Sequence, residues 1–162
     1  MISQAPSTAL QMLVNKLLRR PLLRPKVVMF LLGISHTKLI SMIEAGELTW
    51  AWDIGFGKTR REVRVLNHSV VEKKMGTIAN IGRMRNLKLP EVLNLFLPQT
   101  RSSIRGGELQ RLLDCNSDSI RRYYLSGELK KISKALPKFG PNSSPHFTRE
   151  SIVGFFTKRR IL

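Results

Sequence analysis

Cysteine is almost missing from this chain: Cys115 is the only one in 162 residues. A lone thiol excludes an internal disulfide and a cysteine-based structural zinc site, and it points to a reducing compartment. Carboxylates are scarce too, with 11 Asp and Glu against 28 Lys and Arg. Histidines are few, and His36, His68 and His146 lie too far apart in sequence for a metal-ligand motif. No phosphate-cradling glycine motif is present, and Gly106-Gly107 reads as a turn before a helix. The sequence therefore predicts no catalytic residue, no metal ligand, no cofactor and no enzyme activity. No apolar run approaches the ~18 residues of a membrane helix, and no secretory signal is evident, so no membrane partner is expected.

What the chain does have is positive charge and enough apolar residues for a modest core. Its formal net charge is +17, its pI is about 11.1, and 42% of its residues are hydrophobic. A chain this long makes one domain or two small ones, and a surface this basic attracts polyanions such as DNA, RNA or an anionic membrane. The excess is spread out, at +7 over residues 1–75, +4 over 76–107 and +6 over 108–162. No single tail holds it. The opening stretch has no acidic residue before Glu44, as organelle transit peptides do. Residues 1–20 are Arg-poor until their end, which weighs against that reading.

The chain repeats itself. At an offset of 81 residues, Leu31-Leu32-Gly33-Ile34-Ser35 lies over Leu112-Leu113-Asp114-Cys115-Asn116, and Gly46-Glu47-Leu48 over Gly127-Glu128-Leu129. At an offset of 82, residues 65–71 match residues 147–153 in apolar pattern, as a hairpin differing in length would produce. Each copy reads as a short helix (25–32; 107–113), a turn, a second helix to Ala45 or Ser126, a hairpin and a closing helix (69–75; 149–159). Ser35 and either Asn116 or Ser117 suit helix N-caps, and Gly46 and Gly127 suit left-handed C-terminal positions. The domain reading is an N-terminal helix in 1–21, a first unit in 22–75, a connector in 76–104 and a second unit in 105–162. The connector is too apolar for a free linker: residues 90–97 read as a short helix expected to pack on one unit and limit relative motion.

Helix, turn, helix, hairpin, helix is the order of a winged helix-turn-helix. The stretch from Leu23 through Gly33-Ile34-Ser35 to Gly46-Glu47-Leu48 resembles the excisionase and MerR-type winged family. The second copy departs from that pattern, with Asp114 where glycine is usual and Asn116 where serine is usual. The expected fold class is mainly α with small β-hairpin wings, as two tandem winged helix-turn-helix domains joined by a partly helical connector. The resemblance implies that each second helix enters a major groove with its N-terminal residues foremost. Those residues are Ser35, His36, Thr37, Lys38 and Ser41 in copy one, and Ser117, Ser119, Arg121 and Arg122 in copy two. Arg122 is the leading candidate for a base contact, because a guanidinium bridges guanine O6 and N7. Ser41 stands at its counterpart. Asp118 reads as a helix cap before a base contact.

The first wing carries Lys58, Arg60, Arg61 and Arg64, and the second Lys130, Lys131, Lys134 and Lys138 with Asn142. Phosphate contact is the functional reading, a solvated hairpin edge the plain one. Trp50 and Trp52 share a strand face and read as core before base-stacking. Of Tyr123 and Tyr124, one reads as core. Leu10, Leu13, Val14 and Leu17 form the stripe of a helix over residues 7–20, either packed or a partner contact. Cys115 reads as a small buried hydrophobe.

The expected function is sequence-preferring binding of double-stranded DNA on a bipartite site, in the cytoplasm and associated with the nucleoid. The resemblance implies a mobile-element setting, as an excisionase-like recombination accessory factor or a transcriptional regulator. An integrase or transposase would be a partner through the N-terminal helix. The alternatives are a DNA-targeting subunit of a larger recombination assembly, a structural RNA-binding protein, or a nuclease or recombinase fragment.

Overall fold

The computed structural model describes residues 8–57, 61–75, 84–132 and 145–161, and no side chain at 8–11, 14 or 75. Helices dominate, and two small antiparallel sheets accompany them. Helix α1 (Thr8–Leu18) leads through Pro21 into strand β1 (Leu22–Leu23). Helix α2 (Pro25–Leu32) starts on a proline, whose missing N–H costs nothing there, and ends on Gly33 at φ 65°. Helix α3 (His36–Glu44) is capped by Ser35, whose hydroxyl accepts from Lys38 N at 3.2 Å. The chain turns by 97° between α2 and α3. Strands β2 (Ala51–Asp53) and β3 (Val63–Leu66) follow, then helix α4 (Asn67–Met75).

Across the connector, helix α5 (Leu89–Asn94) opens with the Glu91 carboxylate accepting from Lys88 N. Strand β4 (Ser103–Arg105), helix α6 (Gly106–Leu113) and helix α7 (Ser117–Leu125) come next. Strand β5 (His146–Thr148) pairs with β4, and helix α8 (Arg149–Arg159) closes the chain. Asn116 caps α7, its side chain accepting from Ser119 N at 2.9 Å. Asp118, read as a cap, lies exposed in the first turn instead, where its charge still suits the helix dipole.

The first sheet has the order β1-β3-β2, with Leu22 opposite Leu66 and Trp52 opposite Arg64. Side chains alternate between the two faces of a strand. On one face Leu23, Ala51, Val63 and Val65 pack with Val28, Leu31, Leu39, Met42 and Val70 of α2, α3 and α4. On the other, Leu22, Trp50, Trp52, Ile54 and Leu66 join a second core with Val92, Leu93 and Leu97 of the connector and Ile120, Tyr123, Phe155 and Phe156 of the second unit. A wing would leave that face to water. Here it is buried, and the two copies share one core through it.

The connector helix lies inside the shared core, so it fixes the units instead of tethering them. Trp50 Nε1 donates to Met84 O at 2.9 Å, and Trp52 meets Phe96 and Phe156 edge-on at ring-centroid distances of 6.2 and 5.5 Å. Trp50 and Trp52 are both core, and neither is free to stack on a base. In the second unit β5 pairs chiefly with β4, and the second hairpin contributes the Lys131–Phe147 bridge. Strands β1 and β4 are two and three residues long, too short to show in the sequence pattern. Among the described residues no single helix is long and apolar enough to cross a membrane.

Candidate nucleic-acid interface

Helix α7 presents an exposed face that carries two adjacent arginines. Ile120 and Tyr123 anchor it in the shared core. Asp118, Arg121, Arg122 and Leu125 share the opposite face at i, i+3, i+4 and i+7, all exposed. Leu125 is 69% exposed, an apolar side chain open to solvent at the end of the helix. Sequence reasoning passed over it. Lys130 and Lys131 are exposed just beyond, and Lys131 Nζ sits 4.0 Å over the ring of Tyr124. Tyr124 is 37% exposed, whereas Tyr123 is buried. Ser117 is exposed and Ser119 half-buried at the start of the helix.

The equivalent face of α3 is weaker. His36, Thr37, Lys38 and Ser41 are exposed, but Glu44 shares the face and no arginine does. Ser35 is exposed with its hydroxyl committed to the cap. The starts of α3 and α7 border one cleft of about 640 Å³, lined by Arg24, Lys26, His36, Arg61, Asn116 and Ser119 among others. Two helix N-termini and several cations make its field positive. Glu62 and Asp114 temper it.

Arg64 does not belong to a phosphate-contacting surface. It is 4% exposed, and its guanidinium donates to Leu113 O at 2.7 Å, Asp114 O at 2.9 Å and Val63 O at 3.0 Å. Between Val63 and Val65 it occupies the alternate face of β3, and that face is covered by the second unit. Burial draws its pKa down, yet a guanidinium keeps its charge in proteins. Arg61 remains exposed, with Nε 3.7 Å from Asp53 Oδ2. Lys58, Arg60, Lys134, Lys138 and Asn142 lie outside the described residues.

Asp114 shows why the second copy departs from glycine. It holds the same left-handed position as Gly33, at φ 49°, where a side chain is strained. Its carboxylate pairs with Arg24 Nε at 2.6 Å and Arg20 Nη1 at 3.2 Å, and its carbonyl accepts from Arg24 Nη2 at 2.7 Å. Glycine would relieve the backbone and remove the charge that joins this turn to the first unit.

A second clasp was also illegible in the sequence. Arg159, at the end of α8, donates to both Glu128 carboxylate oxygens at 2.8 Å, and to Gly55 O at 2.7 Å and Asp53 O at 3.2 Å. The hydrogen bond from Arg159 holds the Glu128 carboxyl below its ordinary pKa. Glu47, the matching residue of copy one, pairs with Lys73 of α4 at 2.6 Å. The repeated Gly-Glu-Leu thus carries a repeated ion pair to the closing helix.

Of the N-terminal stripe, Leu17 packs half-buried on the first core, Leu13 is exposed, and Leu10 and Val14 lie outside the described side chains. Burial pushes the Cys115 thiol up to about 11, so it stays protonated at neutral pH. Burial also lowers His68, whose Nδ1 lies 2.7 Å from Asn67 Oδ1. Among the described residues no three His, Cys, Asp or Glu side chains gather as a metal site would require. Comparison with protein-family models, with curated proteins and with solved structures finds no match to the chain.

Proposed function

We propose that this chain binds double-stranded DNA with sequence preference, as two winged helix-turn-helix units fused into one body. The observation that carries the reading is the capped, exposed face of α7, with Arg121 and Arg122 one turn into the helix and Leu125 beyond them. Such a face fits the major groove, where Arg reads guanine and an apolar tip reads thymine. The 97° turn between α2 and α3 lies within the ~90–120° range of helix-turn-helix pairs. The net charge of +17 supplies the attraction to phosphate.

Arg61, Lys26, Lys130 and Lys131 hold backbone phosphates in this reading, and the exposed His36, Thr37 and Lys38 of α3 serve as positioning contacts. The resemblance to the excisionase and MerR-type family supports a mobile-element recombination accessory factor or a transcriptional regulator. Met12 on α1 is 68% exposed, and an integrase or transposase would cover that face.

The test is competition between duplex DNA and duplex RNA of one sequence for the intact protein. The A-form major groove is too narrow for a helix, so DNA should win by at least about tenfold. Arg121→Ala and Arg122→Ala should each lower affinity for a selected DNA site by about 1–2 kcal/mol. RNA binding as tightly as DNA would overturn the reading.

A further inference from the structure

The segment Ile54–Phe56 that follows β2 of the first unit is not left to solvent. It is seated against the second unit's helix α7. The Tyr123 hydroxyl donates to Ile54 O, Arg159 binds Gly55 O, and the ring of Phe56 stacks on Tyr123 at 4.5 Å and 18°. The guanidinium of Arg122, exposed on the face assigned to base contact, lies 5.4 Å from the centroid of the same Phe56 ring. A residue of one unit therefore supports the principal reading side chain of the other.

An arginine free in solvent must surrender rotamer freedom when it grips a base. One resting on an aromatic face from a second, firmly held element has surrendered part of it already. Three contacts hold this segment, and none of them involves Arg122, so the platform exists before any ligand arrives. Ser41, the counterpart of Arg122 on α3, offers no cation for such a platform.

We propose that Phe56 is a positioning residue for Arg122, and that the Ile54–Phe56 segment with α7 forms one composite reading head. This rests on the DNA-binding reading above and deepens it. It implies that a selected site is one uninterrupted segment in place of two half-sites. Helix-turn-helix dimers set their recognition helices ~34 Å apart, whereas here the starts of α3 and α7 border one cleft.

Phe56→Leu keeps apolar bulk against Tyr123 and removes the π face, and Phe56→Tyr keeps both. In the free protein, the Arg122 Hε resonance should be shifted by the ring current in wild type and Phe56→Tyr, and not in Phe56→Leu. On DNA, Phe56→Leu should reduce discrimination at the base pair sensed by Arg122→Ala by about two- to fivefold, with affinity for unrelated duplex unchanged. Phe56→Tyr should restore it. In an Arg122→Ala background Phe56→Leu should do nothing more. Discrimination that survives Phe56→Leu, or that falls equally at every position in both backgrounds, would overturn the inference and leave the DNA-binding reading standing. A wild-type protein with no preference among duplexes would remove base reading itself, and the inference with it.

Discussion

Trp52→Ala is expected to destabilise the protein by about 3–5 kcal/mol and to lower the stability of both units in a single transition. Trp52 is fully buried at the centre of the shared core. Its ring touches Phe96 from the connector, Phe156 from α8 and Trp50 from its own strand. Removing the indole leaves a cavity walled by all three parts of the chain. Since a domain of this size has only about 5–15 kcal/mol to lose, the effect is large. Urea unfolding followed by far-UV circular dichroism checks it. The account requires one shifted, cooperative transition. Two separated transitions, with the second unit unaffected, would mean that the units fold independently.

Arg159→Ala is expected to cost about 3 kcal/mol, close to the price of breaking a buried ion pair. The side chains of Arg159 and Glu128 are 14% and 16% exposed, so water compensates little. The variant strands the Glu128 carboxylate and the carbonyls of Asp53 and Gly55 together. Arg159→Lys should recover less than half of the loss, because one ammonium cannot reproduce the forked bonds. The double variant Arg159→Ala/Glu128→Gln should be more stable than Arg159→Ala alone, since it removes the stranded charge.

The same pair sets an acid limit. Glu128 titrates below its ordinary value of 4.5 in the folded protein. Its contribution is therefore complete above that value and is lost as pH falls through the depressed one. In Arg159→Ala this part of the acid sensitivity should be absent.

Several elements were legible because their signals are local. Gly46 and Gly127 sit at positive φ, as their places after helices suggested, and so does Gly33 in the turn after α2. Ser35 and Asn116 make the capping bonds expected of them, and α2 and α8 occupy the residues that proline placement and apolar spacing marked out. What escaped is long-range. The alternation through Trp50 and Trp52 shows which side chains share a face, but not that both faces of the sheet are covered. Arg64 therefore read as a solvent-facing strand residue, although the second unit closes over it.

Two departures did carry information. An aromatic residue between two glycines after β2, Phe56, has no local reason to be there, and its reason is the contact with Tyr123. Asp114 in place of glycine accepts backbone strain, and its reason is the arginine pair from the first unit.

The proposed reading of duplex DNA by both units as one body is open to a direct test. The most direct test is selection of binders from a random duplex DNA library at near-physiological salt, using the full chain. The account predicts enrichment of one short, uninterrupted motif, with affinity that falls steeply as salt rises. Retained binding with no enriched sequence, or a two-part motif whose halves are a full helical turn apart, would contradict it.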